Sequence, residues 1–121
     1  MSIRWVDESA LQAGWLGHAS AYIEAMERQL LVEEWLQLTR EAMPSAARRK
    51  RWSVRFDHCF QRILLDNAVG GRWYDHIARP AYRNASDDLL REAIRLGKAA
   101  LMGKEDLADL NRKSLEWRGQ R

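Results

Sequence analysis

The sequence predicts an all-α fold: a compact bundle of four or five helices with a long N-terminal helix. Two observations carry this. Apolar residues recur at three- and four-residue steps along most of the chain. No stretch sustains period-two alternation, and no Asn-Gly or Asp-Gly pair marks a hairpin.

The first helix spans about 8–42. Asp7 or Ser9 can cap it, and Leu11, Trp15, Ala19, Tyr22, Met26 and Leu30 align as one stripe that must be buried against something. Gly14 and Gly17 weaken its early part by about 1 kcal/mol each relative to Ala, so a kink or break is expected there. Pro44 ends the segment by disfavouring helical geometry at Met43.

Ser45 then caps a second helix over about 46–69. Its stripe is Trp52, Phe56, Cys59, Phe60, Ile63 and Leu64. Gly70-Gly71 supplies the left-handed residue that closes it. Residues 72–78 make two short turns, and 80–85 reads as loop. Ser86 caps the next helix, with Asp87 and Asp88 favourably placed in its first turn. Leu90, Ile94, Gly97 and Leu101 form its face and Gly103 closes it. A last helix from about Glu105 presents Leu107, Leu110, Leu115 and Trp117.

Composition sets the class. The 121 residues are 46% hydrophobic and 31% charged, which suits a single helical domain over 1–121 and excludes wholesale disorder and a collagen-like repeat. Within it, an acidic N-terminal helix (8–42) precedes a basic and aromatic helical part (46–119). Cys59 is the lone cysteine, so no intrachain disulfide forms and a reducing cytosol is the natural setting. The longest Leu/Ile/Val runs are three residues, Leu30 to Val32 and Ile63 to Leu65, so no membrane span is expected. Acids stand where a secretory signal needs apolar residues, and a cytoplasmic location follows.

Charge is uneven along the chain. Residues 1–43 carry three Arg against seven acids, whereas 44–83 carry nine basic residues against three acids. Arg48, Arg49, Lys50 and Arg51 are consecutive, and Arg55 and Arg62 follow on the same predicted helix. Such a block can contact phosphates or an acidic partner. The structural reading is that it solvates a helix start or pairs with the acidic segment. A basic first turn opposes the helix dipole, which hints that the charges answer to something besides folding.

Two aromatic-Asp-His tripeptides are polar site candidates: Phe56-Asp57-His58 and Tyr74-Asp75-His76. Adjacent helical residues point about 100° apart, so Asp57 is not expected to orient His58. Spacing instead puts Arg55, His58, Arg62 and Asp66 on one face. No metal-ligand or phosphate-loop pattern occurs, so neither a metal nor a cofactor is expected. Cys59, on the apolar stripe, reads as a small hydrophobe.

Six tryptophans are spread along the chain. Trp35 lies in a run, Leu30 to Leu38, that is apolar on more than one face, a pattern that suits burial against another subunit. Trp73 and Trp117 lie among basic residues, as in protein or nucleic-acid contacts.

The favoured reading is a non-enzymatic protein-interaction or regulatory module. It is expected to be a homo-oligomer, binding through apolar, aromatic and basic surfaces, without a membrane. The alternative is a nucleic-acid-binding protein using the basic helix start at 48–55, whose signature is steep salt dependence. The second alternative is a small enzyme or metal site built on the two Asp–His pairs, which requires them to converge.

The run Arg55-Phe56-Asp57-His58-Cys59-Phe60-Gln61-Arg62-Ile63, followed by Leu65-Asp66-Asn67, resembles a motif in a group of small uncharacterised bacterial proteins. Arg79-Pro80-Ala81-Tyr82 and Ser114-Leu115-Glu116-Trp117-Arg118-Gly119 are similar to further runs of that group. The likeness covers roughly 55–119. Some members are labelled GCN5-related acetyltransferases, which implies a mixed α/β sheet and an acetyl-CoA loop of the form Gln/Arg-x-x-Gly-x-Gly/Ala. The nearest run here is Ile94 to Ala99, with Ile94 in the Gln/Arg position.

Overall fold

The helical path laid down by the first apolar run continues past Pro44 instead of stopping before it. In a computed structural model that describes residues 16–120, α1 covers Leu16–Gln37, a π-helical turn covers Leu38–Ala42, and α2 covers Met43–Ala47. Proline lacks one N–H and is tolerated in the first turn of a helix. The wider turn shifts the hydrogen-bond register, so Met43 N–H reaches the Leu38 carbonyl and Pro44 falls in the first turn of α2. Where the ladder changes register, Thr39 Oγ1 donates to the Trp35 carbonyl at 2.9 Å. The expected cap at Asp7 or Ser9, the break at Gly14 or Gly17, and the apolar positions Leu11 and Trp15 lie outside the described residues.

The path ends at the basic block. Arg51 takes a left-handed conformation, φ 58°, its N–H reaches Arg48 O at 3.1 Å and Trp52 N–H reaches Ala47 O at 2.9 Å. This is the glycine-type helix stop described for left-handed caps, made here by an arginine. Two expectations are corrected by it. Ser45 caps nothing, and the basic block closes one helix instead of opening the next. Cations at a helix C-terminus complement its dipole, so the expected conflict is reversed.

Residues 52–56 are non-helical, and α3 starts at Asp57 (Asp57–Val69) after Phe56 in extended geometry, φ −104° and ψ 146°. Phe56 is consequently 66% exposed, not part of a buried stripe. Gly70 closes α3 at φ 77°, as expected. A single 3-10 turn, Trp73–Asp75, follows, and one helical turn, α4 (Ala81–Asn84), occupies the segment expected to be loop. Ser86 Oγ accepts the Leu89 N–H at the start of α5 (Asp87–Leu101). Asp106 does the same for Ala108 at the start of α6 (Leu107–Trp117).

Two compact units divide the chain, 1–30 and 31–121. In the second, α3 packs against α5 and α6, while the π turn lies on α3 and α5. Its core holds Trp35, Leu38, Met43, Phe60, Ile63, Leu64, Leu90 and Leu107, each 4% exposed or less. Close helix approach requires Gly97: a Cβ there would lie 2.7 Å from Leu38 Cδ2 and 2.9 Å from Leu64 Cδ1. The first unit is described from Leu16 onward, as the N-terminal part of α1. The described residues contain no strand, and no helix among them is long and apolar enough to cross a membrane. Counting α1, the π turn and α2 as one path, the fold is all-α, and the described residues form five helical bodies.

Candidate functional site

One buried carboxylate organises the polar residues of the second unit. Asp66, on the side of α3 that faces α6, is fully buried. Its Oδ2 accepts from Ser114 Oγ at 2.7 Å and from Arg118 Nε at 2.7 Å. Its Oδ1 accepts from Arg118 Nη2 at 3.0 Å and from the Trp73 backbone N–H at 3.0 Å. The hydrogen bonds that Arg118 donates to Asp66, more than their charge attraction, hold its guanidinium yet more firmly protonated against the opposing effect of burial. Ser114 Oγ in turn accepts from Arg62 Nη1 at 2.6 Å, and Asn111 Oδ1 accepts from Arg62 Nη2 at 2.8 Å.

A cleft of about 350 Å³ lies beside this network, lined by Trp35, Arg40, His58, Gln61, Arg62, Leu65, Trp73 and residues 79–82. Each wall has its own origin. The π turn carries Arg40, α3 carries His58, Gln61, Arg62 and Leu65, and the segment after the 3-10 turn carries Arg79 and Tyr82. Gln61 is fixed by donating to Thr39 Oγ1 at 3.0 Å. Arg79 stacks over the rings of Trp73 and Tyr74, 5.5 Å from each centroid. Three arginines line the cleft and no Asp or Glu does.

The residues singled out from sequence divide into several groups. Arg48, Arg49, Arg51 and Arg55 are exposed and Lys50 is half-buried. None of the five has a hydrogen-bonding or ion-pairing side-chain partner among the described residues. Arg62 and Asp66 do share one face and one network. His58 lines the cleft, but its side chain is 76% exposed. Asp57 Oδ1 accepts the His58 backbone N–H at 2.8 Å and stands 3.6 Å from His58 Nδ1, too far for a hydrogen bond that would orient the ring. Asp75 pairs with Arg72 at 2.8 Å, and neither Asp75 nor the exposed His76 lines the cleft. Among the described residues, no group of three or more His, Cys, Asp or Glu is placed to hold a metal ion.

Trp35 is corrected outright. It is 1% exposed, packed in the core instead of presented to a partner. Apolar surface is offered elsewhere. In the first unit Tyr22, Met26 and Leu30 are 69%, 50% and 63% exposed, although their spacing implies a buried stripe, and Ile23 beside them is 54% exposed. Trp73 is half-buried beneath Arg79.

Arg40, Arg79 and Tyr82 were not legible as site residues. Only Arg79 and Tyr82 carry a hint, since both fall in the run Arg79-Pro80-Ala81-Tyr82. The run Ile94 to Ala99 lies within helix α5. Comparison of the chain with protein families, curated proteins and solved structures gives no match.

Proposed function

We propose that this protein is a non-enzymatic helical interaction module of the cytoplasm that pairs with a second copy of itself through the exposed stripe of α1. The observation that carries the reading is the exposure of Tyr22, Ile23, Met26 and Leu30 on one side of a helix. Tyr22, Met26 and Leu30 follow at four-residue steps that drift only about 40° each, so with Ile23 they form a narrow apolar band. Burying a large apolar side chain contributes about 1.5–3 kcal/mol. Tyr22 and Leu30 lie four residues to either side of Met26, with Ile23 flanking on one side. An antiparallel pair with its two-fold axis at Met26 therefore sets Tyr22 against Leu30 twice, with Met26 against Met26 at the centre.

Sedimentation equilibrium of the full chain tests this. The expected mass is that of two chains, falling to one chain in Met26→Asp with helicity unchanged by circular dichroism. A wild type that stays monomeric across the micromolar range overturns the reading.

A second reading, nucleic-acid binding, is supported by one observation. The turn bearing Arg48, Arg49, Lys50 and Arg51 has no carboxylate partner among the described residues. Binding of duplex DNA or RNA that falls steeply with salt, and is lost in a folded quadruple Ala variant, would put that reading first.

A further inference from the structure

We propose that the arginine-lined cleft is a binding site for the phosphoryl group of a small phosphorylated molecule. The argument starts from charge. Arg40, Arg62 and Arg79 line a single cleft of about 350 Å³ whose walls include no carboxylate. Five other arginines of this unit are paired, Arg72 with Asp75, Arg91 with Asp88, Arg95 with Glu92, Arg112 with Asp109 and Glu116, and Arg118 with Asp66, whereas the unpaired Arg48, Arg49, Arg51 and Arg55 stand exposed and line no part of this cleft. The Arg40 side chain has no hydrogen bond or ion pair among the described residues, and that of Arg79 has only its cation–π contacts with Trp73 and Tyr74. Like charges gathered in one cleft repel, and a bound anion removes that cost.

The way the arginines are held points to a built site. Arg62 is oriented by Ser114 and Asn111, with Ser114 itself bonded to buried Asp66. Arg79 Cζ lies 5.5 Å from the centroids of two rings, Trp73 and Tyr74, set nearly perpendicular to each other. Arg40 projects from the π turn, a helical irregularity that is frequent where helices build functional sites. The guanidinium of Arg62, so fixed, loses little freedom on forming further hydrogen bonds to an oxyanion, while Arg40 brings an unpaired charge to the same cleft.

The ligand class follows from charge and size together. Three guanidinium groups match a dianion better than a single carboxylate, and a phosphate monoester approaches that charge at neutral pH. The volume lies at the lower end of the roughly 300–1,000 Å³ typical of small-molecule sites. The walls also offer Trp73, Leu65, Pro80 and Tyr82 to the body that carries the phosphoryl group.

Isothermal titration of the full chain is the test, with inorganic phosphate, glycerol phosphate and adenosine monophosphate as probes and adenosine and acetate as controls. Saturable binding of at least one phosphorylated probe is expected, with none for the controls. A monoester binding more tightly than inorganic phosphate assigns the carrier body to the apolar wall, and equal binding assigns the site to free phosphate. Arg40→Met and Arg79→Ala should each weaken binding by about tenfold or more, the scale of one charge-assisted hydrogen bond. Arg112→Ala, outside the cleft, should leave it unchanged. Arg40→Met is the decisive variant, since the exposed Arg40 side chain makes no hydrogen bond or ion pair among the described residues. No saturable binding of any phosphorylated probe, or binding that survives Arg40→Met in full, overturns the proposal.

Discussion

Asp66 and Arg118 join α3 to the end of α6 by two parallel hydrogen bonds, 2.7 Å from Nε to Oδ2 and 3.0 Å from Nη2 to Oδ1. The carboxylate is fully buried, whereas the Arg118 side chain keeps 18% of its exposure. Ser114 and the Trp73 N–H complete the shell of Asp66, so each of its oxygens has two donors. A buried charge is tolerable only when its hydrogen-bonding capacity is met in this way.

Removing that carboxylate should therefore cost far more than removing a surface charge. Asp66→Ala strands Arg118 and Ser114 and frees the Trp73 N–H, and the expected loss is about 3–5 kcal/mol. Urea denaturation followed by circular dichroism measures it. A loss within the range of an exposed ion pair, about 1 kcal/mol or less, would show that solvent reaches these groups.

Trp35 should behave as core and not as contact surface. Trp35→Ala removes a side chain that is 1% exposed, and truncation of a buried aromatic costs about 3–5 kcal/mol. Thermal and urea unfolding should both register the loss. The folded fraction should keep the oligomeric state of the wild type, because that residue reaches no partner.

At Gly97 an added methyl would meet Leu38 and Leu64, which are 4% and 0% exposed and have little room to yield. Overpacking costs about 1–3 kcal/mol, and the better helix propensity of Ala returns about 1 kcal/mol. Gly97→Ala is expected to be net destabilising by about 1 kcal/mol, read as a lower urea midpoint. A stabilised variant would mean that the leucines repack freely.

The opposite sign is expected at Arg51. Its φ of 58° costs a non-glycine residue about 1–2 kcal/mol. At Gly103 the chain makes the same turn with glycine, φ 76°. Its N–H bonds Ala100 O, and Lys104 N–H bonds Ala99 O. Arg51→Gly should raise stability by about 1 kcal/mol in urea titration, and Arg51→Ala should not.

Much of the local architecture is written in adjacent residues. Ser86 with Asp87 and Asp88 announces the start of α5, and Gly70 announces the end of α3, because caps depend on one side chain or one backbone conformation. The first helix stop was misread for the same reason inverted. Arg51 does what glycine usually does, and no local signal marks an arginine held at positive φ.

Composition and periodicity alone determined the helical class, the long first helix and the helix ends that carry conventional caps, since these follow from contacts within four or five residues. Tertiary structure alone decided the rest. Asp66 and Arg118 are 52 positions apart, and the cleft draws Arg40, Arg62 and Arg79 from three separate segments. It also sent Trp35 inward and left Tyr22 and Met26 exposed. Helical spacing shows which residues share a face, but only packing against distant elements determines which face is buried.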